Sequence, residues 1–195
     1  MKRSCFHEVK ADWLPVWTHF RFPTKNIGLD GLEYALTTKE SKEEITSRLE
    51  GINFHPVFLS EIQIKNYYEG YSNSTIWPLC HYFFVYTLYR NSFWQSYQEV
   101  NQLFCDAICR VIRPGDKGVD SRLSANAASG MLRKVYPDLN IGYFHHIPFP
   151  SYELFRILPE RAEILKGLLG ADFIAFHTHD YMRQFYQCCR TGIAY

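Results

Sequence analysis

The stretch IGYFHHIPFPSYELFRILPERAEILKGLLGADFIAFH, residues 141–177, decides the fold class of this sequence. It begins with a short apolar run at 141–146, which predicts a buried strand, and ends with another at 172–177, which predicts a second strand. Helical patterns separate the two runs. Strands that alternate with helices predict parallel βαβ units with helices on both faces of the sheet, so the predicted fold class is α/β.

The helices of this stretch carry start and stop signals. Ser151 is placed to cap a helix that reaches Leu158, and Pro159 is placed at the start of a second helix that Gly170 ends. A further helix is predicted from Thr178.

The first half of the chain is less regular. Ser41 and Glu44 form a capping box, which predicts a helix that ends near Gly51. The other predicted elements are a strand at 52–60, a helix at 61–71 that ends in a turn at 72–74, and an amphipathic helix from Trp94 to Arg113. Residues 1–40 fit neither a helical nor a strand repeat and predict no element.

Composition excludes some classes of function. The 195 residues contain 21 Lys and Arg against 20 Asp and Glu, which gives a net charge of +1. A charge this close to zero does not indicate the basic surface that nucleic-acid binding needs, so nucleic acid is not an expected partner. The longest apolar run, 83–89, is far below the roughly 20 residues that span a bilayer. Six cysteines without CxxC spacing and without a preceding secretory signal predict reduced thiols in a cytoplasmic protein.

The pair His145-His146 follows the predicted strand 141–146, at the sheet edge where α/β proteins bind ligands. A neutral imidazole there could hydrogen-bond a sugar hydroxyl or stabilise a developing charge. The alternative is a buried histidine satisfied by the backbone. Joint metal ligation is disfavoured, because adjacent strand residues point to opposite faces.

A second candidate cluster is aromatic, at 67–73 and 76–78. Phenol and indole groups offer flat apolar faces and O–H or N–H donors to a sugar, although aromatic residues on helices also form cores. Cys105 and Cys109 share a helix face and are interpreted as buried thiols. His177, His179 and Asp180 fit a solvated helix N-terminus better than a metal site.

Four motifs occur together in one order: VFLS at 57–60, YYEGYSN at 67–73 followed by Trp77-Pro78 and His81-Tyr82, IGYFHHIPFP at 141–150 and GLLGAD at 167–172. Together they resemble the trehalose-6-phosphate synthases of glycosyltransferase family 20, over about residues 41–183. The resemblance implies a two-domain GT-B fold and retaining transfer of glucose from UDP-glucose to glucose 6-phosphate, with no cofactor and no required metal. This chain would form an incomplete, Rossmann-like N-terminal domain of such an enzyme, on the acceptor side.

The resemblance also implies roles for three residues. Tyr68 and Trp77 match the positions that bind the phosphate of glucose 6-phosphate, and His146 matches the catalytic histidine beside the donor glucose. Neutral O–H and N–H donors suit a phosphate, and a histidine suits the charge that develops at the breaking glycosidic bond.

Three segments depart from the family pattern: 1–40, 117–129 and the tail 184–195. The sequence KGVDSRLSANAAS at 117–129 stands where the family has an apolar strand followed by His-Asp-Tyr. Suitable codons for residues 118–129, translated one base later, give VWIHDYQLMLL and the start of a proline codon. We therefore hypothesise small insertions or deletions in the coding sequence, which the nucleotide sequence can test.

These departures, with the absence of the family's donor-binding domain, predict a fragment that is inactive alone. The alternatives are a non-catalytic sugar-phosphate-binding fragment, which could associate with a full-length synthase as a regulator, and a decayed gene product.

Overall fold

A computed structural model of the chain describes residues 16–21, 26–30, 42–51, 54–112, 117–120 and 128–193. Its strands are β1 (Val16–Arg21), β2 (Asn26–Asp30), β3 (Phe54–Phe58), β4 (Lys117–Asp120), β5 (Asn140–His145) and β6 (Phe173–Phe176). Its helices are α1 (Lys42–Glu50), α2 (Glu61–Gln63), a π-helix (Ile64–Ile76), α3 (Trp77–Cys80), a 3₁₀ turn (Phe84–Tyr86), α4 (Asn91–Val111), α5 (Ala128–Val135), α6 (Tyr152–Phe155), α7 (Arg161–Leu168) and α8 (His179–Gly192). Ser41, half of the predicted capping box, lies outside these ranges.

The described strands form one mixed sheet in the order β3-β1-β2-β4-β5-β6. Strands β2, β4, β5 and β6 are parallel neighbours, which confirms the prediction of parallel βαβ units. Strand β1 instead pairs antiparallel with both β2 and β3. Two strands of this antiparallel part lie in residues 1–40, where the sequence pattern predicted no element.

Helix α4 covers the core with the face that its sequence predicts. Val100, Phe104 and Ile108 are buried, together with Cys105. Burial raises the pKa of the Cys105 thiol to about 12, as expected for a thiol that packs as an apolar group. Cys109 is only half-buried, so the prediction of a buried pair is confirmed for Cys105 alone.

The turn predicted at 72–74 is wrong, because the chain continues there as a helix. Residues 64–76 form a π-helix, in which the backbone bonds run from one residue to the fifth before it, as from the Trp77 N–H to the Ser72 carbonyl. The Ser74 hydroxyl donates to the Glu69 carbonyl at 2.6 Å. The serine hydroxyl thus bonds the helix backbone, and the helix does not end there.

Two predicted helix boundaries also move. Helix α6 ends at Phe155, short of Leu158, and α7 begins at Arg161, after Pro159. Helix α8 begins after Thr178 as predicted, and the Thr178 hydroxyl accepts a hydrogen bond from the Tyr181 N–H.

Glycines allow α5 to pack directly on the end of α7. A Cβ added at Gly170 would lie 2.6 Å from the Gly130 Cα, closer than any side chain can approach a backbone. Arg133 secures the same junction, since its Nη2 lies 2.6 Å from Asp172 Oδ2 and its Nε donates to the Gly170 carbonyl. The Ile141 N–H and the Arg133 guanidinium lower the pKa of the Asp172 carboxyl. This junction fixes β5 against the start of β6.

Every helix in the described ranges is too short or too polar to cross a bilayer.

Candidate functional site

The two adjacent histidines at the end of β5 take opposite positions. His145 is 2% exposed in the core, whereas His146 is exposed at the carboxyl end of the parallel strands. The alternation of strand side chains separates them. His145 therefore fits the interpretation of a buried core histidine, and His146 fits that of a histidine placed to contact a ligand. The His146 carbonyl accepts a hydrogen bond of 3.0 Å from Nε2 of His177, which follows β6. The edge of the sheet therefore holds the backbone of His146 in place.

His145 is a neutral core residue. Its Nδ1 lies 2.9 Å from the Tyr143 hydroxyl, and its ring lies 5.2 Å from Phe149 and 5.7 Å from Phe176, between centroids. Burial lowers the pKa of its imidazole to about 3, and the neighbouring His146 and His177 act in the same direction.

Acidification should destabilise the protein through His145. The unfolded imidazole titrates near pH 6.5 while the folded one stays neutral to about pH 3, so the unfolded state binds the extra proton between these values. From pH 6.5 to pH 5 this group should remove about 2 kcal/mol from the free energy of unfolding. Urea unfolding at several pH values measures the slope, and His145→Gln is the control. If the free energy of unfolding fell equally with pH in both proteins, His145 would not be the source of the pH dependence.

Tyr68 and Trp77 lie on one continuous helical segment. Exposed side chains recur on it at every fourth position: Lys65, Glu69, Asn73 and Trp77. Tyr68 is half-buried and directly precedes Glu69, so it borders this row of exposed residues.

The surroundings of these two aromatic residues differ from those of the core tyrosines. Trp77 is 41% exposed and stacks on His81, with 4.0 Å between the ring centroids. Tyr68 is half-buried and packs against the core at its edge. Tyr67 and Tyr71 are fully buried, so core packing explains them and does not explain Trp77.

A tyrosine joins the Trp77 segment to the loop that follows His146. The Ser151 N–H donates to the Tyr82 hydroxyl at 3.2 Å, and this hydroxyl donates to Gln184 Oε1 at 3.2 Å. The site thus combines the end of α3, the loop after β5 and the first turns of α8. Position in the sequence gave no indication of this contact.

A second polar cluster holds the π-helix against α7. The Glu160 carboxylate is 8% exposed and accepts hydrogen bonds from the Tyr71 hydroxyl, at 3.4 Å, and from the Tyr89 hydroxyl. The hydrogen bond to Glu160 raises the pKa of Tyr89 to about 12, and burial raises that of Tyr71. A buried carboxylate needs such donors. Sequence analysis missed this cluster, because its members lie far apart in the chain.

The metal-binding types of side chain in the described residues do not indicate a metal centre. Among the residues that the structure describes, no three His, Cys, Asp or Glu side chains come together. His179 and Asp180 are exposed at the start of α8, as the interpretation of a solvated helix terminus predicts.

Comparison with known proteins identifies the fold and the family of this chain. The mixed α/β sheet, whose strands β2, β4, β5 and β6 are parallel, belongs to a Rossmann-like domain of the GT-B type, the fold of its structural neighbours. The sequence model of glycosyltransferase family 20 matches residues 21–193, and the chain belongs to this family.

Individual relatives give the same result. The trehalose-6-phosphate synthase of Mycobacterium tuberculosis is 46% identical over 126 residues, which are 65% of this chain and 25% of that protein. A Burkholderia xenovorans synthase solved in complex with glucose 6-phosphate superposes with a TM-score of 0.67, at 25% identity, over 70% of this chain and 30% of that one. The N-terminal domain of the Candida albicans trehalose-6-phosphate phosphatase gives 0.69, at 30% identity, over 78% and 34%.

The chain therefore spans about a quarter to a third of the length of these relatives. The matched range includes residues 117–129 and most of the tail 184–195.

Proposed function

We propose that these residues form the acceptor side of the active site of a UDP-forming trehalose-6-phosphate synthase. In this proposal Tyr68 and Trp77 bind the phosphate of glucose 6-phosphate, and His146 lies beside the glucose of UDP-glucose. The observation that carries the proposal is the exposure of Trp77 on the same helical segment as Tyr68, together with the hydrogen bond by which Tyr82 joins this segment to the loop after His146.

The chemistry of the three side chains suits these roles. The Tyr68 hydroxyl and the Trp77 indole N–H are neutral donors, which can bind a phosphate dianion without neutralising it. His146 is exposed at the end of β5, where its imidazole can donate to a sugar hydroxyl and favour the charge of the transition state.

The rest of the reaction needs groups from elsewhere. The resemblance implies that the UDP pyrophosphate is held by an Arg/Lys pair of the second domain. For the 195-residue polypeptide alone we propose binding of glucose 6-phosphate without measurable glucosyl transfer. A cytoplasmic location is part of the proposal, and the five described cysteines are all free thiols.

Calorimetry with glucose 6-phosphate tests the acceptor site. We expect Trp77→Phe, which keeps an aromatic ring and removes the N–H donor, to weaken binding about tenfold or more, as loss of a hydrogen bond to a charged group does. Tyr68→Phe should act similarly. Glucose without phosphate should bind weakly to all forms.

Tyr86→Phe is the control, since it removes the same hydroxyl as Tyr68→Phe from a side chain that is 73% exposed on the neighbouring segment. Absence of binding by the unmodified chain would overturn the proposal, as would equal affinities of Trp77→Phe and the control.

A non-catalytic role is the second candidate. It is favoured by the similarity to the N-terminal domain of a protein named as a phosphatase, which covers 78% of this chain. A regulator of this kind would associate with a full-length synthase. Co-purification of the two, together with binding of sugar phosphate by the isolated chain, would support this candidate over the first.

A further inference from the structure

Tyr82 has a backbone conformation that its residue type avoids. Its φ is 64°, and among the described residues it is the only one other than glycine with a positive φ. A Cβ and a bulky ring disfavour the left-handed region, so such a conformation persists only where its surroundings hold it. Strain of this kind concentrates at functional sites.

The surroundings of Tyr82 fold back on the helical turn that carries Trp77. The Tyr82 N–H donates to the Leu79 carbonyl at 3.2 Å, and the Phe83 N–H donates to the Pro78 carbonyl at 2.8 Å. His81 Nδ1 lies 2.8 Å from the Trp77 carbonyl, and its ring stacks on the indole. The left-handed residue therefore closes α3.

The hydroxyl of Tyr82 uses both of its hydrogen-bonding capacities. It accepts from the Ser151 N–H and donates to Gln184 Oε1, each at 3.2 Å. Ser151 precedes α6 and makes no side-chain cap, so its position depends on backbone contacts. Two prolines lie between Ser151 and His146 and limit the freedom of that loop. A displacement of Ser151 would thus be transmitted to His146.

We propose that Tyr82 is a positioning residue, which fixes the loop from His146 to Ser151 relative to Trp77. This inference rests on the proposed function, because it makes Tyr82 the link between the acceptor-binding indole and the donor-side histidine. Phenylalanine preserves the ring and its packing but removes both hydrogen bonds, so it tests the link without removing an apolar surface.

The experiment compares Tyr82→Phe with Tyr86→Phe in the 195-residue chain. Two quantities are measured: the affinity for glucose 6-phosphate by calorimetry, and the hydrogen exchange of the Ser151 amide by NMR. We expect Tyr82→Phe to weaken binding roughly fivefold and to speed exchange of the Ser151 amide about tenfold, as loss of one or two ordinary hydrogen bonds does. Tyr86→Phe should change neither, and circular dichroism melts should stay cooperative in both.

The outcomes separate the two proposals. Unchanged exchange at Ser151 in Tyr82→Phe overturns the link, whether or not the sugar phosphate binds. Faster exchange with unchanged affinity overturns the positioning role and leaves only a structural contact. If the unmodified chain binds no glucose 6-phosphate, the proposed function fails, and faster exchange at Ser151 still supports the mechanical link.

Discussion

Replacing residues 118–122 by VWIHD is expected to raise the free energy of unfolding by about 3 kcal/mol or more. The changes are Gly118→Val, Val119→Trp, Asp120→Ile, Ser121→His and Arg122→Asp. The first three lie in β4, which has parallel neighbours on both sides. Interior parallel strands are covered on both faces and are usually apolar, and each apolar side chain that becomes buried contributes about 1.5–3 kcal/mol.

Urea unfolding of the two proteins measures this difference. The double variant Ser121→His/Arg122→Asp is the control, because it leaves β4 unchanged and should keep the original midpoint. An unchanged or lower midpoint in the five-residue variant would contradict the hypothesis that 118–129 has replaced an apolar strand. Sequencing of the coding DNA tests the same hypothesis independently, since the alternate frame must encode those residues.

Phe149→Ala should remove about 3–5 kcal/mol from the free energy of unfolding. Phe149 is 2% exposed and lies at the centre of an aromatic cluster. Its ring centroid is 5.2 Å from those of His145 and Phe185, 5.3 Å from that of Phe155 and 6.1 Å from that of Phe176. The residue joins the loop after β5 to α6 and α8, so truncation leaves a cavity that a single element cannot close.

The matched variant is Phe84→Ala, which truncates the same side chain at a position that is 51% exposed. Phe84→Ala should lower the free energy of unfolding by only about 0.5 kcal/mol, as ordinary surface substitutions do. Chemical denaturation of both variants at pH 7 provides the comparison. Equal losses would show that the cluster around Phe149 does not stabilise the core.

The second half of the fold was predictable because each signal there is local. The apolar runs at 141–146 and 172–177 became β5 and β6, and Thr178 caps α8 as its type and position indicate. The antiparallel strands β1 and β2 were not predicted. Each is five or six residues long, and their partners decide their conformation more than their own pattern does.

The candidate site was likewise predictable from the sequence only in part. The opposite positions of His145 and His146 follow from strand alternation, so the sequence was sufficient there. The π-helix was not predictable, since Ser72-Asn73-Ser74 is typical of a turn and the Ser74 hydroxyl bonds the helix instead. The links from Tyr82 to Ser151 and Gln184 join distant segments, and no periodicity encodes a contact of that kind.

The order of the strands sets the order in which this sheet can close during synthesis. Strands β1, β2 and β3 are all translated before β4, yet β2 finds its second neighbour only when Lys117–Asp120 has emerged. At ordinary rates of translation the growing chain therefore carries an open strand edge for a time on the order of ten seconds. An open edge can pair with another nascent chain, so in this interval β2 can pair with a strand of another polypeptide before β4 covers it.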